Sequence, residues 1–421
     1  MANQFTREVT VMFEEMVMGF DDMLTTGKLA NKFRPASDTE MQRSGDQMWI
    51  PAPNIAASYD GFDQTSNFGD FTDMVIPISI GFHKSANGKM SAKDLRDPLQ
   101  LANYAKAAKQ KLSSDVNLAL FNTVALQGSQ VVKRTTAPTG YDDIALADAQ
   151  LTEQGITTAD RVMLLSPRSY NAMASNLAKP QTSGLSQTMT AFEKSYLGAV
   201  AGFDTYKNDQ TFRLTAAGGG TTTVNGANQY WVPKATSTAA TGETANVDNR
   251  YSTLAVTATT YANIKAGDAF TIAGVNSVHM ITKQDTGQLQ TFRVIGKPAA
   301  GVILVAPAII SGGGGTKAEL EYRNVTATPA NGAAITWLNT VTADVNPFFI
   351  KDNLLLIPGS FTVKAEDGWK SMTGTTELGI AITYVEQGNI NDLSVKYRWD
   401  IDFGTSLLQP QFAGIELFNQ T

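Results

Sequence analysis

The chain has 421 residues, 43% hydrophobic and 17% charged, with a formal net charge of −6, a mix that supports two or three globular domains with a lightly charged surface. A net negative chain is a poor general holder of nucleic acid, because such binding rests on neutralising phosphates, so any DNA contact is expected to be weak and local. The absence of cysteine removes disulfides, thiolate nucleophiles, iron–sulfur clusters and cysteine-bound zinc in one step.

The opening "MANQFTREVTVMFEEMVMGFDDM" sets Glu8, Glu14 and Glu15 inside what would be the apolar stretch of a signal peptide, with no basic region before it, so synthesis and retention in the cytoplasm are expected. No run approaches eighteen uninterrupted apolar residues, and no membrane span or membrane partner is expected. Residues 5–24 read as an amphipathic helix with Phe5, Val9, Phe13, Met16, Phe20 and Leu24 on one stripe. Glu8, Glu15 and Asp22 recur every seven residues and line one acidic edge. Such a helix either packs on its own core or serves as a partner-binding arm.

From Pro35 to Met90 the text turns extended. "DQMWIPAP" and "DMVIPISIGF" are rich in β-branched and aromatic residues, but each carries proline, which excludes the middle of an ordinary sheet. The polar, aromatic, turn-rich "NIAASYDGFDQTSNFGDF" between them makes the pair a long hairpin, and an isolated hairpin needs something to lie on. Next comes one long helix. Asp97 is a good N-cap, Pro98 suits a first turn, and Gly128 supplies the stop. Leu101, Ala105, Ala108, Leu112, Val116, Ala119, Thr123 and Leu126 recur at helical spacing, with Lys106, Lys109, Gln110 and Ser113 on other faces. At ~1.5 Å per residue this rod is ~45 Å long.

Residues 142–200 alternate short helices and strands, including "DRVMLLSPRSYNAMAS", a buried strand passing through Ser-Pro into a helix. The glycine-rich runs from Ala216 and Ser311 bracket Thr/Val/Ala-rich strands with closely spaced turns, among them Lys265-Ala266-Gly267-Asp268. That pattern reads as a small β-barrel or sandwich inserted in the host chain. After Val341 the strands resume, and they are expected to complete the sheet begun before residue 210.

Little in the chain carries chemistry. His83 and His279 are far apart and lack HxxxH or HxH spacing, so both read as surface or strand histidines and no metal or cofactor is expected. Ser166 follows a strand without the flanking glycines of a nucleophile elbow. Gly312–Gly315 precedes Thr316-Lys317, the reverse of a phosphate loop, and reads as a flexible hinge before strand-like text. Asp21-Asp22 and Asp142-Asp143 sit where acids stabilise helix starts. Nothing assembles a nucleophile, a base and an oxyanion donor, and the chain does not read as an enzyme.

The order of these elements resembles the major capsid protein of tailed bacteriophages, and within that group the coat proteins of short-tailed Salmonella phages that carry an inserted β-barrel. "MQRSGDQMWIP" (41–51), "DLRDPLQLANYAKAAKQKLSSDVNLAL" (94–120), "NVDNRYSTLAVTATTYANIKAGDAFTIAGV" (246–275) and the last forty residues carry the resemblance, most specifically at Asp94-Leu95-Arg96-Asp97 and Val247-Asp248-Asn249-Arg250. It implies an α+β tailed-phage capsid fold with five parts. These are an N-terminal helical arm (1–35), an extended hairpin (36–90), a peripheral and axial body with spine helix 98–127 (91–221), an inserted all-β barrel (222–341) and a return to the body (342–421).

The resemblance also implies a non-enzymatic subunit that self-assembles into pentamers and hexamers and then an icosahedral shell around double-stranded DNA. Its partners would be copies of itself, a separate scaffolding protein and a portal protein, and its place the virion after synthesis in the host cytoplasm. Glu14 and Glu15 become candidate contacts to a basic scaffold helix. Trp49, Val75, Ile76, Ile78 and Ile80 become surfaces exposed on an isolated subunit and covered by a neighbour. In the related coats a loop of the barrel reaches a neighbouring capsomer through acidic residues; the matching stretch 232–246 holds Lys234 and Glu243 as its charges, the candidates for that contact. A secreted or surface β-rich adhesin or carbohydrate-binding module is the rival reading, drawn from the Thr-rich strands, low charge and lack of cysteine.

Overall fold

The structure is a computed structural model. It describes residues 7–33, 47–91 except 54, 57, 66, 67, 70 and 71, then 93, 94, 97–177, 197–361 except 211, 363, and 369–421 except 390. Two compact units divide the chain. The first takes Met1–Met48, Ile78–Phe121 and Leu354–Ser406, the second Trp49–Pro77, Asn122–Asn353 and Leu407–Thr421.

In the first unit, α1 is Arg7–Val17, shorter than the stripe from Phe5 to Leu24 implied. Gly19 at φ +71° breaks it, and a 3-10 turn, Asp21–Met23, follows. The stripe is nevertheless used: Val9, Met12, Met16, Phe20 and Leu24 are buried, while Phe5 lies outside the described residues. Helix α2, Pro98–Gln127, has the expected bounds, and the Asp97 carboxylate accepts from Leu99 N–H at 3.0 Å.

The sheet of this unit runs in the order Asn31–Lys32, Leu354–Pro358, Ser394–Leu407, Ala381–Asn389, Lys370–Thr375, with Phe82–Ser91 also laddered on Ser394–Leu407. Its buried face holds Tyr384, Trp399, Ile401 and Phe403. Phe13 of α1 stacks on Trp399 with centroids 5.9 Å apart, and Tyr384 meets the same ring at 4.5 Å. Polar groups of α2 hold the arm. Lys109 Nζ donates to the carbonyls of Glu15 and Met18 at 2.8 and 3.0 Å, where α1 leaves its last acceptors open. The Asn117 amide oxygen accepts from Thr26 and Gly27 N–H, and its nitrogen donates to Met23 O.

The second unit contains α3 (Tyr141–Glu153), α4 (Pro167–Leu177) and α5 (Lys317–Tyr322). Its mixed sheet is ordered Gln130–Lys133, Ala413–Leu417, Asn346–Ile350, Arg161–Leu165, Phe203–Lys207, Ala199–Val200, so the last strands do complete a sheet begun before residue 210. Ile144, Ala147, Leu151, Met163, Leu165, Met173, Phe203 and Phe348 share one core. Alongside is a closed six-stranded barrel, Thr222–Val224, Ser252–Ala258, Val302–Ala306, Asp285–Ala299, Ala269–Val278, Ala334–Trp337 in spatial order. Phe270 stacks on Phe292 at 5.6 Å and takes the edge of Trp337 at 5.5 Å inside it. Thr291 Oγ donates to Ser129 O at 2.7 Å, and the Arg293 guanidinium, fully buried, donates to Ala125 O near the end of α2.

The glycine run at 312–315 is not the end of the barrel, whose closing strand Ala334–Trp337 comes after it. A helix follows the run rather than a strand: Thr316 caps α5, and the Glu319 carboxylate takes the N–H groups of Gly314 and Thr316 at 3.0 and 3.1 Å. The donors a phosphate would need are occupied by the protein's own acid.

Candidate assembly surfaces

On the arm, Glu14 is exposed, whereas Glu15 is half-buried and paired with Lys106 of α2 at 3.3 Å. Asp22 pairs with Lys28 at 3.0 Å, and the Glu8 side chain lies outside the described residues. Spacing by seven therefore does not give one uniform acidic edge. Glu14 is the member left open to solvent, and it is joined there by Val11 and Met18, 54% and 73% exposed.

In the hairpin, Gln47–Pro51 pairs with Val75–Ser79 as the proline-bearing text implied. The expected exposure is corrected. Ile76 and Ile78 are buried within the chain itself, while Trp49, Val75 and Ile80 are half-buried. Beyond the paired strands, Ile55 and Met74 pack with Trp231 on Ala308, Ile310 and Tyr322 of the barrel region, and Tyr322 Oη donates to Thr72 O at 3.2 Å. The hairpin has found a support within its own chain. What stays uncovered is the loop: Tyr59 is 40% exposed, Phe68 86%, and Phe62 projects fully into solvent. Gly61 at φ +96° turns the loop, and the Gln64 amide donates to Asp60 and Gly61 carbonyls. Asp63 accepts from the hydroxyl and the N–H of Thr65, which hold its carboxyl below the usual range. Sequence reading passed over Phe62; the signal was an aromatic between two acids, in Asp60-Gly61-Phe62-Asp63.

A small two-stranded sheet, Thr236–Thr238 with Thr244–Asn246, stands outside the barrel with all six residues exposed. Buried Asn249 fastens its base by accepting from Trp231 Nε1 and Lys234 N and donating to Lys234 O. Exposed Lys234 holds its ammonium 5.4 Å over the Trp231 ring, and Glu243 is exposed beside the turn. Next to Asn249, Arg250 forks onto Asp248 and donates to Leu407 O at 2.6 Å. The stretch Val247–Arg250 is thus the joint between this outer hairpin and the body.

Both histidines are on strands or turns. His83 lies between Asp402 at 2.5 Å and Asp400 at 3.4 Å, and Arg398 pairs with Asp400. No group of three or more metal-ligating side chains occurs among the described residues. Buried Arg161 is paired with Asp148 and donates to the carbonyls of Ile156 and Thr157 at 2.8 Å each, a brace for the turn after α3. Glu416 lies on the strand next to the edge of the mixed sheet, fully buried, with neither oxygen hydrogen-bonded. Burial, then Asp143 opposed by Arg134, pushes its carboxyl up to about 8.

A mixed α/β body, a spine helix, an arm bonded to it and a barrel with an outer hairpin define a tailed-phage coat protein. A family model described as "P22 coat protein - gene protein 5" matches residues 1–419, and the chain belongs to that family. Among solved structures it is similar to "Mycobacterium phage Che8" (10% identity over 92% of this chain and 89% of that one, TM-score 0.44). It is also similar to "Capsid structure of the Cyanophage P-SCSP1u" (11% identity, 93% and 87%, TM-score 0.44). "CUS-3 coat protein I-domain" is 38% identical over 30% of this chain and 99% of that one, with a TM-score of 0.23. Family membership replaces the adhesin reading. No described helix is long and apolar enough to cross a membrane.

Proposed function

We propose that this coat protein closes into pentamers and hexamers and then into an icosahedral shell around packaged double-stranded DNA, assembled on a separate scaffolding protein and a portal. The observation that carries the reading is family membership over residues 1–419. A subunit that leaves Phe62 and Phe68 in solvent supports it, since aromatic anchors of this kind dominate interfaces. Glu14, with Glu15 at its side, contacts the scaffold through screened, reversible charge. Lys234 and Glu243 face a neighbouring capsomer, and Trp49, Val75 and Ile80 contribute half-buried surface to neighbours, whereas Ile76 and Ile78 serve the subunit's own packing. The barrel region, 222–341, acts as an inserted domain on a body formed by 91–221 and 342–421, with 1–35 as the arm and 36–90 as the hairpin. The DNA contact is weak and non-specific, in keeping with a net charge of −6.

The test is co-expression with the scaffolding gene product, followed by sedimentation and electron microscopy. Closed shells containing scaffold are expected. A protein that stays monomeric at every ratio of scaffold to subunit overturns the reading.

A further inference from the structure

The turn between barrel strands Ala269–Val278 and Asp285–Ala299 is built around an imidazole. His279 Nδ1 accepts from the N–H groups of both Ile281 and Thr282 at 3.2 Å. Two donors aimed at one ring nitrogen require that nitrogen to carry a lone pair, so the ring is neutral with its proton on Nε2. The same turn is seated on the end of α3. Met280 N–H donates to Gln154 O at 2.9 Å, and the Met280 side chain packs against the core shared by α3, α4 and the mixed sheet. The ring lies over Gly155, at φ +76°, so closely that a Cβ there would come within 2.4 Å of it.

We infer that this turn is an acid-sensitive latch between the barrel and the end of α3, held shut by neutral His279 and released when the ring is protonated. Protonation at Nδ1 replaces the shared acceptor with a third donor facing two others. The Ile281 and Thr282 N–H groups then lose their acceptor, the turn is left to its backbone bonds from His279 N–H to Gln284 O and from Lys283 N–H to His279 O, and the seating of Met280 on Gln154 loosens. The charged groups around the turn are Lys283 on the turn itself, Asp285 opposite Val278 where the turn closes, Arg323 and Glu321 from the segment Lys283 touches, and Glu153 just before Gln154. None is ion-paired with the ring among the described residues, so no carboxylate there compensates the new charge. Thr291 and Arg293 bond elsewhere on the body, to Ser129 and Ala125, so release is confined to the turn and does not free the barrel.

Hydrogen exchange of the full-length subunit, read by mass spectrometry at pH 7.0 and 5.0 and corrected for intrinsic rates, tests this. Protection of the Ile281 and Thr282 amides is expected to fall at least tenfold at the lower pH. The barrel turn at residues 299–302, which holds no titratable side chain, should change less than twofold. His279→Asn keeps an acceptor that can serve nearby N–H groups but cannot take up a proton, and it should abolish the difference. Equal pH responses of the two turns in the natural protein overturn the inference whether or not the variant folds, as does a pH response that survives in a folded His279→Asn protein.

Discussion

Glu416 offers the sharpest test of the energetics. It sits in Ala413–Leu417 between strands Gln130–Lys133 and Asn346–Ile350, with no exposed surface and no hydrogen bond to either oxygen. Arg134, the nearby cation, is bonded to Asp143 at 2.6 Å. Burial first, and Asp143 second, raise the carboxyl from 4.5 to about 8. The sign follows from linkage. Well below pH 4.5 the folded and unfolded chains both hold the proton, and Glu416 adds no pH-dependent cost. Between 4.5 and about 8 the unfolded chain has lost it while the folded chain keeps it, so stability falls as pH rises and levels off above 8. At ~1.4 kcal/mol per pKa unit the ceiling of the loss is about 5 kcal/mol. Glu416→Gln keeps the shape and removes the titration, though its amide also lacks a partner, a cost of about 1–3 kcal/mol. The amide cost is the same at every pH, so on going from pH 5 to pH 8.5 the variant should gain roughly 4 kcal/mol relative to the natural protein. Urea unfolding of unassembled subunits, followed by tryptophan fluorescence at the two pH values, measures this. Lys283, lowered to about 8 by burial, titrates in both proteins and cancels in the comparison. A difference between the two proteins that does not change with pH refutes the argument.

Four further outcomes follow. Glu14→Lys with Glu15→Lys should abolish scaffold-directed assembly while the subunit stays folded, and salt should weaken scaffold binding to the natural chain; normal scaffold-filled shells from the double variant would count against it. Phe62→Ala should cut shell yield at least tenfold without moving the urea midpoint, since the side chain touches solvent only; an unchanged yield in quantitative sedimentation removes it as an anchor. Asn117→Ala leaves Thr26 N–H, Gly27 N–H and Met23 O without their partner and should cost about 2–3 kcal/mol in urea unfolding. The excised segment 222–341, which contains all six barrel strands, should fold alone; random-coil circular dichroism would show that it depends on the body.

What the sequence reveals depends on whether a residue's partners are near it in the chain. Helix α2 could be read to the residue because Asp97, Pro98 and Gly128 are local signals. Its buried polar positions could not: helical spacing puts Ser113 on an outer face, yet it is covered, with its hydroxyl on Gln110 O and the Met23 sulfur. Leu126, expected inside, is only half-buried. The expected hairpin, 36–90, takes in strand Phe82–Ser91, whose ladder with Ser394–Phe403 is built with residues some three hundred positions away and so leaves no local signal. Ile76 and Ile78 belonged to an apolar run whose covering surface cannot be told from its own letters.

The interleaving of the two units has a consequence during synthesis. Strand Asn31–Lys32 pairs with Leu354–Pro358, and Phe82–Ser91 with Ser394–Phe403, so the first unit cannot close its sheet until almost the whole chain has left the ribosome. The barrel strands all lie between Thr222 and Trp337 and can pair earlier. At roughly 5–20 residues per second, the arm and the strand after the hairpin wait tens of seconds for their partners. During that interval Val9, Met12, Met16 and Phe20 have no sheet to cover them. Nascent chains stalled before residue 354 should therefore engage chaperones through the N-terminal arm while the barrel is already protected from protease.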